Sequence, residues 1–475
     1  MNESFKKEAM KRILYIIGMA AIGISSCGKL EESPQAFISP ENFYKTRSDA
    51  IAAVTAAYAP VRNNGFVTRN YAILGEVTTD NMFPLPNNND RVQLDNYVHT
   101  PQNGILRETW TTFYQGISYS NFVIDKVPNI DMDGTLRDRL VAEGKFLRAF
   151  YYYHLVRLFG DLPLITTALA SLDKLTYPKR SPAADVYAQI IADLKDAEVG
   201  LPVSYTGADQ GRATRGAAKA FLASVYLTQK QYQLAADKAA EVMRPEYGYG
   251  LWANLADVFD IKNEFGKEAI FDAQFMSGPG GQGGNLIAFF AQENNAVGGR
   301  GFGSFQPTQE LYDAFDPTDL RRTVWFTKGT DNKFYCNKWI DADAKTENQS
   351  DNNWPLIRYA EVVLTFAEAY NEVNVPVDGN LAYQAVNSIR GRANLPALSG
   401  LTQDQLRQAI LKERRFEMAF EGQRWFDLVR TGTLVSTLLA KGTVNIKSFH
   451  VLFPVPQFEI DLNQNLKPQN TGYPQ

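Results

Sequence analysis

Glu413 and Glu417 stand one helical turn apart, in a stretch that also carries Arg414, Arg415, Arg424 and Arg430. Two carboxylates at this spacing share a helix face. Such a pair can serve general acid–base catalysis, or it can form a buried ion-pair knot. Read as a helix from about Thr402, the stretch sets Leu406, Ala409, Ile410, Phe416, Ala419 and Phe420 on one apolar face. Glu413 falls within that face and Glu417 lies one turn beyond. A lone buried charge is costly, so both acids need partners. Arginines this close keep them ionised, which suits a salt bridge better than a general acid. The expectation is a structural knot of Glu413, Glu417, Arg414 and Arg424. It would join two helices, the first stopped at Gly422 and the second spanning 423–430.

Other chemistries find less support. A glycosidase needs two carboxylates a defined distance apart, and outside the arginine-rich stretch nothing singles out a pair among 52 acids. No Gly-x-Ser-x-Gly elbow is present, and three histidines, His99, His154 and His450, are widely scattered. Cys27 and Cys336 make no disulfide framework, and Cys336 has no neighbouring histidine. The run from Asp341 begins like a calcium loop, but Thr346 stands where glycine is needed and Asn352 where glutamate is needed. Gly278 to Gly284 lacks the Gly-Lys-Ser/Thr ending of a phosphate loop. No catalytic residue, cofactor or metal is expected. A net charge of −4 gives no basic excess to attract nucleic acid.

Binding remains. Aromatic residues make up 12% of the chain, and flat rings match the apolar faces of sugars while amides and charges match the hydroxyls. Two segments stand out as irregular. Residues 60–104 crowd asparagines around Pro84, Pro86 and Pro101, and residues 245–355 are glycine-rich, with three of the six tryptophans of the chain between 325 and 354. Phe83, Tyr97, Trp325, Tyr335, Trp339 and Trp354 in these segments are the candidate ligand-binding rings, with core packing as the competing reading.

Helical periodicity fills the rest: about 40–58, 105–127, 135–159, 185–199, 214–228, 231–243, 355–373 and 381–393. Small residues at Ala217, Ala220, Ala223, Ala235, Ala236 and Ala239 let helix pairs approach closely, in the manner of a tetratricopeptide repeat. The fold class read from this pattern is mainly α, a tetratricopeptide-like body of helical hairpins with a large irregular, loop-rich insertion. The body runs from 40 to 475 as one unit. Its repeats lie at about 40–58, 105–243 and 355–432, and an extended, proline-punctuated segment occupies 445–475. At the other end, Met10-Lys11-Arg12 precedes about twelve apolar residues, too few to span a bilayer and right for a secretory signal. Ile24-Ser25-Ser26-Cys27 follows and resembles a bacterial lipobox. Residues 1–26 are then a signal peptide, Cys27 the lipidated residue and 27–39 a tether.

Residues 412–432, together with 142–164, 306–322, 358–372 and the closing segment ending in Asn470-Thr471-Gly472-Tyr473, resemble the SusD/RagB family. The resemblance covers nearly the whole chain, with Thr471 in place of the family's proline. It implies an outer-membrane lipoprotein, anchored through its N-terminal lipid and facing the cell exterior. Such a protein binds nutrients without cleaving them, usually an oligosaccharide or polysaccharide. It delivers them to a SusC-like TonB-dependent transporter, over whose mouth the helical body would sit. A peptide ligand, a glycan-cleaving enzyme and a pure scaffold are the alternatives.

Overall fold

Local signals start the helices where the periodicity begins. The structure, a computed structural model, describes residues 43–474 apart from 68, 170–176, 279–282, 293–300, 342, 344–349 and the side chains of 286 and 287. The signal peptide, Cys27 and the tether lie outside the described residues. Helix α1 (Arg47–Tyr58) opens on a capping box between Thr46 and Asp49. Asn88 caps α2 (Asn89–Asp95), Asn103 caps α3 (Gly104–Lys126), and Asp133 caps α4 (Gly134–Phe159). Then follow α5 (Ala183–Gly200), α6 (Arg215–Thr228) and α7 (Tyr232–Val242). After a long excursion the chain resumes with α8 (Tyr359–Val373), α9 (Leu381–Arg392), α10 (Gln403–Glu417), α11 (Arg424–Arg430) and α12 (Leu434–Lys441).

Each long helix packs on the next in sequence, from α3 on α4 through to α6 on α7. Helix α8 packs directly on α7 although more than a hundred residues separate them, and α9 and α10 pack on α8. This is the stacked-hairpin architecture expected from the sequence. The contact between α3 and α4 is close because of one glycine: a Cβ on Gly116 would lie 2.3 Å from the Tyr151 ring. Tyr151, Tyr152 and Tyr153 are all buried, and their hydroxyls donate to Ala57 O at 2.7 Å, Ile165 O at 3.0 Å and Ser224 O at 3.1 Å. The tyrosine ladder is core. No helix among the described residues is long and apolar enough to cross a membrane.

Residues 60–104 are not the long irregular loop that their composition suggests. They form a short helix (Asn70–Ala72) continued by a π-turn (Ile73–Val77), strand β1 (Met82–Pro84) and α2. The asparagines cap and bridge instead of solvating a loop. Buried Asn70 donates to Thr109 Oγ1 at 3.1 Å, and buried Asn81 donates to Glu76 Oε2 at 2.9 Å.

Among its described residues the excursion carries five more short strands: β2 (Ala269–Ala273), β3 (Phe305–Pro307), β4 (Phe326–Lys328), β5 (Phe334–Cys336) and β6 (Trp354–Arg358). All pair antiparallel in twos: β1 with β3, β4 with β5, and β2 with β6. The last ladder sets Ala269 opposite Arg358 and Ala273 opposite Trp354, so the excursion begins and ends at one place. The C-terminal segment returns to the helices. Phe453 N donates to Leu158 O at 2.8 Å, and Asn470 Nδ2 bridges Phe159 O and Phe453 O at 2.9 and 2.7 Å.

Candidate functional site

The two acids on the core face of α10 sit in a buried charge network. Helix α10 ends at Glu417, five residues before Gly422, and the chain turns through Phe420 (φ 73°) and Gly422 (φ 79°) before α11. Glu417 Oε1 accepts from Arg358 Nη1 at 2.9 Å and from Arg392, while Oε2 accepts from Arg321 Nη1 at 3.1 Å. Glu413 pairs with Arg321 at 2.6 Å and Arg390 at 3.1 Å. Glu421 pairs with Lys338 at 2.6 Å and Arg358 at 2.7 Å, and Glu268 and Asp319 complete the set. Five cations thus meet five carboxylates. Burial pushes the Glu417 carboxyl up, but Arg392, Arg358, Arg321 and Lys338 together hold it far below its ordinary range. A carboxylate held so firmly ionised has no proton to give, so Glu417 does not suit the role of a general acid.

The partners differ from those expected. Arg414 pairs instead with Glu361 at 2.9 Å and Asp427 at 2.8 Å, and Arg424 pairs with Asp80 at 2.8 Å. Sequence neighbours on a helix point to different faces, whereas the excursion and β6 bring distant arginines to the acids. Nearby, the backbone of the 418–423 turn lies against the π-turn. A Cβ on Gly75 would be 2.0 Å from Gly422 O, and Glu76 Oε1 accepts from the Gly422 N–H at 3.0 Å.

The tryptophans expected to face a ligand are enclosed. Trp325, Trp339 and Trp354 are 1%, 1% and 0% exposed. Trp339 stacks on Trp354 with centroids 4.7 Å apart, and Lys338 Nζ sits 3.8 Å from the centre of the Trp325 ring. Their polar sequence context suggests exposure, but the excursion builds a small core of its own, and Trp325 lies against Lys338 and Arg321 of the charge network. Tyr335 and Tyr97 are buried too; their hydroxyls donate to Asp331 Oδ2 at 2.9 Å and Thr78 O at 2.7 Å. Phe83 alone of the six is half-buried, in β1 opposite Gln306.

The two irregular segments do meet at a cleft of about 730 Å³, on residues the sequence reading did not single out. Its floor is the start of α3, with Arg107, Glu108 and Gln115. One wall holds Asn63, Arg69, Asp90 and Arg91, and Phe289 comes from the excursion. The volume suits a small ligand or a few sugar rings. Phe289 is half-buried and stacks on Phe305 with centroids 5.0 Å apart and planes 12° apart. Arg91 lies 5.6 Å from the Phe305 ring centre, donates to Asn87 Oδ1 at 2.9 Å, and has a buried Nη1 without a partner among the described residues. Burial and the Arg69 charge lower the Arg91 pKa. Glu108 pairs with Arg69 and accepts from Asn70 at 3.2 Å, and Asp90 accepts from the Gly104 N–H at 3.1 Å. The cleft therefore offers a half-buried ring and a set of polar donors, and both its carboxylates among the described residues are already engaged. The sequence signal that could have marked it is the spacing of Arg69, Arg91 and Arg107 through the asparagine-rich stretch. Among the described residues no cluster of histidine, cysteine, aspartate or glutamate is arranged to hold a metal ion.

Comparison with known proteins follows the same division. Residues 325–473 match the family described as "SusD family", and residues 30–227 match "Starch-binding associating with outer membrane". SusD-like protein P2 of Formosa agariphila is 30% identical over 98% of this chain and 100% of its own. The chain is a member of the SusD family. Starch-binding protein SusD of Bacteroides thetaiotaomicron is 24% identical, with 84% of each chain covered. Among solved structures, a laminarin binding SusD-like protein is 28% identical with a TM-score of 0.80, covering 90% of this chain and 100% of that one. A SusD homolog from Bacteroides thetaiotaomicron, 22% identical, reaches a TM-score of 0.82 over 91% of this chain and 98% of that one, a likeness of fold. In SusD-family terms, the match over 30–227 holds the floor of the cleft, and the match over 325–473 holds Lys338, Arg358, Arg390, Arg392 and three of the five acids of the network, Glu413, Glu417 and Glu421.

Proposed function

We propose that this protein binds an oligosaccharide or polysaccharide non-covalently in the cleft over α3 and delivers it to a TonB-dependent transporter of the outer membrane. The observation that carries the reading is the cleft itself. It joins a half-buried phenylalanine to arginine, asparagine and glutamine donors held in place by their own partners. A sugar ring stacks its C–H face on the phenylalanine and gives its hydroxyls to the fixed polar groups. The names of the relatives that bind starch and laminarin support a polysaccharide ligand. The reading includes no reaction. Glu108 is tied to Arg69 and Asp90 to a main-chain N–H, so both carboxylates are engaged by groups of the protein itself. Cys27 supplies a lipid anchor, placing the body at the outer membrane on the exterior side.

Calorimetry against a panel of neutral and acidic oligosaccharides and peptides, with each mixture checked for product, tests this. A saturable heat with one glycan class, no new product, and loss of that heat in Phe289→Ala is expected. Cleavage would overturn the non-enzymatic reading. Heat from peptides alone would overturn the glycan, and binding unchanged in Phe289→Ala would overturn the cleft.

A further inference from the structure

A second cavity, of about 530 Å³, shares no lining residue with the cleft. It lies between the end of α4, the start of α5, the α6–α7 turn, α11 and the C-terminal segment. Arg157 on α4 is its notable feature. The guanidinium carbon lies 3.9 Å from the centre of the Tyr153 ring and 3.9 Å from that of Phe426. Nε donates to Tyr153 O at 3.1 Å. Arg157 is half-buried, and among the described residues neither Nη group has a hydrogen-bond partner and no carboxylate lies within ion-pair distance.

The rest of the lining adds to that charge. Arg180 donates to the carbonyls of Asp161 at 2.8 Å and Pro468 at 2.9 Å, with no carboxylate paired to it among the described residues. Arg430 is committed to Glu368 and Asp427. The one lining carboxylate, Asp161, already accepts from the Ala183 N–H at 2.9 Å. With Arg430 balanced by its own carboxylates, Arg157 and Arg180 face Asp161 among the described lining residues, in a chain of net charge −4. Half-buried Phe449 is the accessible ring of the cavity wall, with Phe426 and Trp425 buried behind the lining.

We propose that this cavity is a second ligand site, one that takes a uronate residue of an acidic sugar. Two rings fix the plane of Arg157, so its two Nη groups present a preset fork to both oxygens of a carboxylate. The guanidinium is weakly hydrated between the rings and gives up little water on binding. The half-buried Phe449 ring takes the apolar face of the pyranose, and the volume lies in the range of small-ligand sites. The carboxylate preference stands on this geometry alone; the choice of a sugar acid rests on the glycan reading above.

Calorimetry of the full chain with digalacturonate, the matching neutral galactose disaccharide and a tripeptide with a free C-terminal carboxylate tests the site. A saturable heat from digalacturonate alone is expected. Arg157→Lys keeps the charge but loses the fork, and should weaken binding by about tenfold or more. Val429→Glu, from the half-buried rim on α11, should abolish binding by repulsion without touching Arg157. Phe289→Ala should leave it unchanged, because that residue belongs to the cleft. No heat from digalacturonate, undiminished binding in Arg157→Lys and Val429→Glu, or loss in Phe289→Ala would each overturn the proposal. Binding of the tripeptide in place of digalacturonate would overturn the sugar assignment. Neutral glycan binding lost only in Phe289→Ala reports on the cleft, so the two readings fail separately.

Discussion

Neutralising Glu417 probes the charge network most directly. Glu417→Gln keeps the shape of the side chain and removes a charge shared by Arg321, Arg358 and Arg392, all 5% exposed or less. The arginines cannot lose their protons, so the variant leaves one uncompensated buried positive charge. Removing one partner of a buried pair costs about 3–5 kcal/mol. Spread over a body of about 430 residues at roughly 2.1 cal/mol/K each, the unfolding entropy is about 0.9 kcal/mol/K. The expected fall in Tm is therefore about 3–6 °C, read by calorimetry alongside denaturant midpoints. Glu310→Gln is the matched control. It breaks an ion pair with Arg415 whose acid is 63% exposed, and should move Tm by about 1 °C or less. Arg392→Met added to Glu417→Gln should recover part of the loss, because the surplus cation goes with it. A Tm for Glu417→Gln within 1 °C of the parent, or a double variant worse than the sum of the two, would refute the argument that charge balance holds this core together.

Three further outcomes are expected. Trp354→Ala should cost about 3–5 kcal/mol of stability and leave the sugar affinity of the folded fraction unchanged, whereas Phe289→Ala should do the reverse; thermal scans and calorimetry on both variants separate core from cleft. Gly422→Ala should largely prevent folding, because its φ is positive and a Cβ would lie 2.6 Å from the Tyr71 ring; Gly442→Ala, also at positive φ but in open space, should cost only about 1 kcal/mol, both read from soluble yield and Tm. Burial, and then the Glu421 charge, raise the Asp272 carboxyl to about 7, so its contribution is fully present below the unfolded value and is lost as pH rises through about 7. Asp272→Asn should therefore raise Tm relative to the parent more at pH 8 than at pH 5, and a rise no larger at pH 8 than at pH 5 would contradict that assignment.

Much of the helical body can be read from the chain, because periodicity and caps are local. Helices α3 to α7 and α9 begin and end within two residues of where the pattern puts them. Helix α8 starts later than the pattern suggests, since Trp354–Arg358 pairs as a strand with residues 269–273. Glu413 and Glu417 reveal that they need cations, but not which ones. Arg321 lies 96 residues from Glu417, and only the folded excursion brings it near. Arg414 and Arg424 were the natural candidates by proximity, and helix geometry turns them elsewhere. The tryptophans mislead for a related reason: a polar, glycine-rich stretch reads as exposed, yet it folds its own rings inward. The cleft escaped notice because no single residue type marks it. It exists only where α3, the asparagine-rich segment and Phe289 converge.

The excursion enters and leaves through the β2–β6 ladder, while α7 and α8 pack against each other as if nothing lay between them. Geometrically it is a cassette, replaceable without shifting the repeats. Electrostatically it is not. Arg321 and Lys338 with Asp319 bring a net charge of +1 into the network. Without them, Glu268, Glu413, Glu417 and Glu421 face only Arg358, Arg390 and Arg392. A transplanted insert would have to carry that same charge to the same depth. The chassis thus accepts new recognition surfaces only if they arrive with a matching cationic key.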